Sequence, residues 1–186
     1  MKRLFFLLIG ILAFCVACQD DFAEPESSTK SAKIEKTKTF QIGGWITIVA
    51  NPEKPEMACN PVGANVWLKG SGWVSGQENI LGRIDPENST YETEYCELEI
   101  NEEGHPFVYA RTKVILQRMN GDKLFLVNHM WIDAMSGDIS GYSDITDGTG
   151  RFEGAVGQTS MLNGTVDTEK GIGSWEEDGE ITLVLK

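Results

Sequence analysis

FVYARTKVILQRMNGDKLFLVNHMWI, the sequence of residues 107–132, consists of two strongly apolar runs on either side of Asn120-Gly121. Both runs are rich in Val, Ile, Phe, Tyr and Trp, the side chains that favour β-strands. Asn-Gly between two such runs is the strongest short signal for a β-hairpin. We therefore predict two antiparallel strands, at 107–118 and 123–132, joined by a tight turn.

The register of this hairpin decides which side chains face the core, because a slip of one residue exchanges the two faces. A two-residue turn at Asn120-Gly121 would pair Thr112 with His129 and turn His129 and Trp131 toward the core. A three-residue loop with a glycine bulge would instead put the alternate residues of the second strand on that face: Leu124, Leu126, Asn128, Met130 and Ile132. Both sets are largely apolar, so both registers stand.

Further strands are predicted on both sides of the hairpin, where apolar residues alternate with polar residues or glycine. They lie at 40–48, 64–76, 139–145, 159–166 and 181–185. Turn signals lie between them, at 85–88, 147–150 and 167–170. No long amphipathic helix is indicated. Many short strands at regular spacing predict an antiparallel barrel or sandwich.

Residues 137–157, GDISGYSDITDGTGRFEGAVG, contain a strand, a G-T-G-R-F-x-G-A-x-G turn and the start of another strand. This signature resembles the allene oxide cyclase barrel-like group, which includes dirigent-type barrels, and the resemblance extends with long gaps over roughly residues 70–185. It implies an all-β fold, a single closed antiparallel β-barrel of about eight strands with an apolar interior. In the turn, we expect Gly148 and Gly150 to take positive φ and Phe152 to plug the end of the barrel.

The resemblance implies cyclase activity, or guidance of phenoxy radical coupling, only in plant members of the group. None of their functional residues maps onto this sequence by motif, and a fold alone does not confer a function. No catalytic triad motif and no glycine-rich phosphate loop is present. Asp138, Asp144 and Asp147 lack the spacing of a calcium loop. We therefore expect neither a cofactor nor a metal site.

The first residues have the layout of a secretory signal, since Lys2 and Arg3 precede an apolar run at 4–14. About 11 residues of helix reach roughly 16 Å, which is too short for a hydrocarbon core of about 30 Å. We therefore interpret residues 1–17 as a cleaved lipoprotein signal peptide. Its last residues with Cys18 read CVAC and resemble a bacterial lipobox, with Cys15 where such boxes usually carry Leu. The resemblance implies that Cys18 is lipidated.

Residues 18–35 are predicted to be the lipidated cysteine and a flexible tether, because they are polar and have no apolar periodicity. Gln19-Asp20-Asp21 resembles the acidic export tag of surface lipoproteins of the Bacteroidota. We expect an outer membrane lipoprotein that is exposed on the cell surface. Its partner is the membrane, which it contacts through the lipid anchor at Cys18. The β-barrel domain is predicted at 36–186.

Charge and cysteine content narrow the functional classes. The formal net charge of -12 argues against a nucleic-acid partner, because phosphates would be repelled. Beyond the predicted anchor the chain has Cys59 and Cys96, and two cysteines in an exported domain predict one disulfide. Closing a loop of about 38 residues would stabilise the domain by about 4 kcal/mol.

The candidate ligand-binding residues depend on the two-residue register. In that register His129 points inward beside Thr112 and Trp131, with Asp133 near the mouth of the barrel, an arrangement suited to a small ligand. A hydrogen-bonded core histidine is the alternative, and His105 is expected in an exposed turn. The tryptophans are expected in the core rather than on a sugar-stacking surface: Trp45, Trp67, Trp73, Trp131 and Trp175.

The leading functional hypothesis is a non-enzymatic cell-envelope lipoprotein whose barrel binds a small apolar ligand or a surface partner. One alternative is a cyclase or isomerase that acts in the barrel cavity by shape and desolvation. Another is a purely structural surface component. A fully packed interior would favour a structural role, whereas an open pocket with convergent polar groups would favour ligand binding or catalysis.

Overall fold

A computed structural model describes residues 36–61 and 63–185. The predicted signal peptide, Cys18 and the predicted tether lie outside the described residues. The strands are β1 Lys36–Ala50, β2 Glu56–Ala58, β3 Trp67–Lys69, β4 Ser71–Glu78, β5 Gly82–Arg83, β6 Thr90–Ile100, β7 Pro106–Gln117, β8 Lys123–Asp133, β9 Asp138–Gly148, β10 Val156–Asp167 and β11 Ile172–Leu185. A 3-10 turn, Gly150–Phe152, follows β9. Nowhere in the described part of the chain is a helix long and apolar enough to cross a membrane.

Eight of these strands form a ring in the order β1, β4, β6, β7, β8, β9, β10 and β11, and β11 pairs with β1. Every pairing in the ring is antiparallel. The long strand β1 completes the ring because residues 36–49 pair with β11 and residues 44–50 also pair with β4. The prediction of an all-β fold with about eight antiparallel strands is confirmed.

The hairpin of β7 and β8 has the three-residue loop. Gln117 pairs with Lys123, the Arg118 amide donates to the Asp122 carbonyl at 2.9 Å, and Gly121 takes a φ of 95°. Positive φ at the third loop residue is the glycine-bulge geometry. Thr112 therefore pairs with Asn128 and not with His129, so the two-residue register was wrong and its alternative is correct.

The burial of β8 shows the consequence of this register. Alternate residues from Leu124 to Ile132 are buried inside the ring, while the residues between them are half-buried on its outer face. The inner positions of the other strands contribute the rest of the core: Ile42, Ile46, Val74, Tyr91, Val108, Ala110, Val114, Leu116, Ile139, Ile145, Met161, Trp175, Ile181 and Leu183.

The glycine-rich turn after β9 is partly as expected. Gly150 takes a φ of 63°, and Phe152 is fully buried. Gly148 is not among the positive-φ residues. It is needed for close approach instead, because a Cβ there would lie 2.5 Å from the Lys123 carbonyl oxygen.

The small sheet of β2 and β3 is attached to the ring by the predicted disulfide. Cys59, directly after β2, is bonded to Cys96 of β6, with the two Cα atoms 4.8 Å apart. Backbone hydrogen bonds extend the attachment, since the Asn60 amide donates to the Cys96 carbonyl and the Leu98 amide donates to the Asn60 carbonyl. The disulfide prediction is confirmed.

The tryptophans do not all enter the core. Trp175 is buried inside the ring, but Trp45, Trp67 and Trp73 are 52%, 56% and 40% exposed. For these three the prediction was wrong, because strand alternation turns Trp45 and Trp73 outward and Trp67 lies on the β2–β3 hairpin. Trp131 is half-buried on the outer face.

Candidate ligand-binding site

A pocket of about 110 Å³ lies inside the ring where the β2–β3 hairpin covers it; we call it the mouth pocket. Its inner walls are mostly apolar and come from six ring strands: Ile48, Tyr91, Thr93, Ala110, Met130, Ile132, Val166 and Gly173. The hairpin contributes Glu56, Trp67, Leu68 and Lys69. Thr168 and Gly171, in the turn between β10 and β11, complete the lining. The pocket is therefore bounded by the ring interior and the hairpin together.

The hairpin that covers the mouth pocket is held together by an ion pair and tied to the ring by the disulfide. Lys69 of β3 forms an ion pair with Glu56 of β2 across the hairpin. The Cys59–Cys96 disulfide ties the end of β2 to the ring. Burial raises the pKa of Tyr91, whose ring lies beneath the hairpin, to about 12, so its hydroxyl stays a neutral donor in the pocket wall.

A row of buried polar side chains crosses the interior of the ring, with one member on each strand from β6 to β10. The members pair in succession from strand to strand. We call this set the polar row: Thr93, Thr112, Asn128, Ser143 and Thr159. Each is 5% exposed or less. The Thr93 and Thr112 hydroxyl oxygens are 3.3 Å apart. Because Thr93 also lines the mouth pocket, the polar row begins at this pocket and continues away from it.

Two buried glutamates, Glu78 of β4 and Glu177 of β11, complete this polar interior and form what we call the carboxyl pair. Both pair with Gly44 of β1, one from each side. Ser143 Oγ and Trp175 Nε1 donate to Glu177 Oε1 at 3.3 Å and 3.0 Å, the partners that a buried carboxylate requires. Burial, followed by the neighbouring Glu177 carboxyl, raises the pKa of Glu78 well above its ordinary value. Both effects favour the protonated form of Glu78.

Several oxygens of this interior have no well-formed hydrogen bond: both carboxyl oxygens of Glu78, Glu177 Oε2, Asn128 Oδ1 and Thr159 Oγ1. An inner cavity of about 10 Å³ lies beside two of these residues, Asn128 and Glu177. A volume of this size holds about one water molecule. Buried polar groups without partners cost about 1 to 3 kcal/mol each, so the inner cavity is suited to a small hydrogen-bonding group.

The structure does not bring the sequence-predicted binding residues together. Thr112 lies inside the ring in the polar row, whereas His129 and Trp131 lie on the outer face. Asp133, at the end of β8, accepts hydrogen bonds from the Met135 and Ser136 amides, which lowers the pKa of its carboxyl. The inward placement of His129 was wrong, because the three-residue loop exchanged the faces of β8; a role of these residues in binding stays a prediction.

On the outer face His129 belongs to an aromatic cluster. Its ring stacks on Tyr142 with centroids 4.7 Å apart and an interplanar angle of 14°. Its Nδ1 lies 2.8 Å from the Tyr109 hydroxyl, and its Nε2 lies 3.6 Å from Asp144 Oδ2. Trp131 lies against Tyr109. His105 is exposed in the loop before β7, as expected.

The carboxyl pair was missed by the sequence analysis. Glu177 lies in the acidic run 176–180, EEDGE, which has the composition of a solvent-exposed segment. One signal was available for Glu78. It occupies the same face of β4 as small and apolar residues, and that face is buried: Gly72, Val74 and Gly76. Within residues 36–61 and 63–185, no group of three or more His, Cys, Asp or Glu side chains is arranged to hold a metal ion.

The chain was compared with family models, curated proteins and solved structures. No family model matches the chain, and no curated protein matches it. Among solved structures it is similar to the pterocarpan synthase dirigent protein GePTS1, at 18% identity and a TM-score of 0.44 over 81% of this chain and 93% of that one. It is also similar to the pterocarpan synthase dirigent protein PsPTS1, at 14% identity and a TM-score of 0.42 over 82% of this chain and 99% of that one.

Proposed function

We propose that the domain binds a small apolar molecule in the mouth pocket. The observation that carries the proposal is a hollow of about 110 Å³ among the side chains of the ring. Packed protein interiors contain few voids larger than a water molecule, and a dry apolar cavity of about 150 Å³ accepts benzene. A ligand, or the part of it that enters, therefore has about six carbon atoms or fewer.

The wall chemistry supports an apolar ligand with a polar end. Ile48, Ala110, Met130 and Ile132 give dispersion contacts without hydrogen bonds. Thr93 and Tyr91 place hydroxyl groups in the same wall. Ligand pockets are commonly built in this way, from apolar walls with a few placed polar groups.

The 1-hexanol molecule is a suitable probe of this proposal. We expect it to bind the native domain in saturation-transfer NMR and to raise the melting temperature. Ala110→Leu should abolish both effects, because the added side chain fills the hollow from a fully buried position. Lys113→Leu adds the same side chain to the outer face of the same strand and should leave binding intact. Absence of hexanol binding to the native domain would reject the proposal and leave a structural or partner-binding role.

We further propose that a lipid on Cys18 anchors the domain to the outer membrane and that the domain is exposed on the cell surface. The proposal is supported by the leader at 1–17, the CVAC segment and the acidic residues that follow it. A polar tether of 18–35 would hold the domain near the membrane without inserting it. Native mass spectrometry of the full chain, purified from envelope fractions, would report both the acylated mass and any small molecule that is carried through purification.

An acid–base enzyme acting in the cavity is the second candidate, and the carboxyl pair is the observation that favours it. A carboxyl group with a raised pKa beside a second carboxyl group is a common acid–base arrangement, and the pKa of Glu78 is raised. Against this candidate, the inner cavity admits only a group about the size of water. Turnover that Glu78→Gln abolishes, without loss of hexanol binding, would favour the enzyme.

A further inference from the structure

Two of the oxygens without a well-formed hydrogen bond, Asn128 Oδ1 and Glu177 Oε2, belong to residues that line the inner cavity. Asn128 Oδ1 and an ionised carboxylate can only accept hydrogen bonds. A group that is only a donor, and that carries positive charge, complements such a site. A primary ammonium group has three donors, no acceptor and the opposite charge.

The inner cavity is positioned to receive such a group from the mouth pocket. Ile48 lines both spaces, so its side chain lies between them. The polar row provides a second connection, since Thr93 lines the mouth pocket, Thr112 contacts Thr93, and Asn128 pairs with Thr112 and lines the inner cavity. An apolar ligand body in the mouth pocket would thus have its end directed toward Asn128 and Glu177.

We infer that the ligand of the mouth pocket is a primary amine, whose apolar part fills the pocket and whose ammonium group enters the inner cavity. This inference rests on the proposed function. There the ammonium donates to Asn128 Oδ1, which is buried and lacks a hydrogen-bond partner, and to Glu177 Oε2, which is buried near Glu78 and has no well-formed hydrogen bond. Its charge neutralises the Glu177 carboxylate, which removes the main cost of keeping that charge in the interior.

The same arrangement excludes other ligand ends. A carboxylic acid would bring a second negative charge against Glu177, and like charges in a buried site are repelled strongly. An alcohol would fit the cavity but would leave the carboxylate charge uncompensated. The expected order of affinity is therefore amine, then alcohol, then acid.

Three probes of equal chain length test this order at pH 7: hexylamine, 1-hexanol and hexanoic acid, each titrated into the purified domain by calorimetry. Hexylamine is protonated at this pH, as a lysine side chain is. We expect hexylamine to bind at least tenfold more tightly than 1-hexanol, and hexanoic acid to bind most weakly.

Matched variants assign the preference to the carboxyl pair. Glu177→Gln keeps an oxygen for Trp175 and Ser143 but removes the charge. It should reduce hexylamine affinity at least tenfold and change 1-hexanol affinity much less. Glu176→Gln makes the same chemical change at the next residue, on the exposed face, and should change neither. Ile48→Ala, which opens the passage between the two spaces, should accelerate hexylamine binding.

Failure of the inference and failure of the proposed function give different results. If hexylamine and 1-hexanol bind equally, and Ala110→Leu blocks both, the pocket binds ligands but the amine inference is wrong. An amine preference that persists in Glu177→Gln also overturns the inference. If none of the three probes binds, both the pocket function and the amine inference are rejected.

Discussion

Glu78 and Glu177 face each other inside the ring because both pair with the same residue, Gly44, from opposite sides of β1. Gly44 has no side chain to separate them. Strand β1 pairs with β11 on one side and with β4 on the other, which completes the ring. The contact between the carboxyl groups is therefore a product of ring formation. Its consequence is that the pKa of Glu78 is raised by burial and by Glu177.

This relationship predicts a stability that falls as the pH rises. The folded-state pKa of Glu78 lies above its unfolded value, so the stabilising contribution is complete below the unfolded value and is lost as the pH rises through the folded one. Carboxyl groups with a lowered pKa have the opposite effect, but only at acidic pH: Asp85, Glu94, Asp133, Asp147 and Asp167. Urea denaturation from about pH 5 upward should therefore show a decline that Glu78→Gln removes. An equally steep decline in Glu78→Gln would contradict the prediction.

Gly44 itself should be intolerant of a side chain. A Cβ at this position would lie 2.1 Å from the Gln77 carbonyl oxygen and 2.7 Å from the Glu78 Cα atom. Gly44→Ala would have to push β1 and β4 apart, and we expect it to cost more than about 3 kcal/mol or to prevent folding. Gly104→Ala is the control, because Gly104 has a positive φ but open space around it, and backbone strain alone should cost about 1 to 2 kcal/mol. Equal effects in urea denaturation would show that contact with β4 is not the cause.

The disulfide should contribute about 4 kcal/mol to the free energy of unfolding, for a sequence separation of 37 residues. A double variant, Cys59→Ser with Cys96→Ser, should lose this amount and should no longer respond to dithiothreitol. Because the disulfide fixes the hairpin over the mouth pocket, the variant should also release 1-hexanol faster than the native domain. Unchanged stability on reduction of the native protein would refute the first expectation.

The register of β8 predicts opposite outcomes for one substitution at neighbouring positions. Leu126 is buried inside the ring, whereas Val127 is half-buried outside it, between Lys113 and Asp144. Leu126→Glu would bury a charge without a partner and should cost about 4 kcal/mol or more. Val127→Glu should cost no more than about 1 kcal/mol, and thermal denaturation of the two variants distinguishes them. The reverse result would restore the two-residue register that places His129 inside.

Cys18→Ser should prevent lipidation, because it removes the thiol that the acyl chain requires. Metabolic labelling with an alkyne analogue of palmitate should mark the native chain and not the variant. Cys15→Ser is the matched control, since it changes a cysteine of the same CVAC segment that the prediction assigns to the cleaved leader. Undiminished labelling of Cys18→Ser would falsify the predicted anchor.

The sequence by itself determined the features that depend on local order. The apolar, strand-favouring run at 123–132 identified a strand, Asn120-Gly121 identified the turn, and Cys59 with Cys96 identified the disulfide. Each of these follows from the preferences of a few adjacent residues, or from a count of cysteines in an exported chain. The all-β class followed in the same way, because local residue preferences predicted a strand in each apolar segment of the domain and a long helix in none.

Only the tertiary structure decided which faces are inside and which distant residues meet. The loop before β8 contains one more residue than the shortest hairpin, and this difference moved His129 outward and Asn128 inward. Glu78 and Glu177 meet through pairing with a third strand, which no local pattern records. An acidic segment such as 176–180 indicates exposure in a sequence, but one of its members is buried because a strand has two faces and the ring encloses one of them. The candidate site is therefore a property of strand register and ring formation, and neither is determined by residues that are neighbours in the chain.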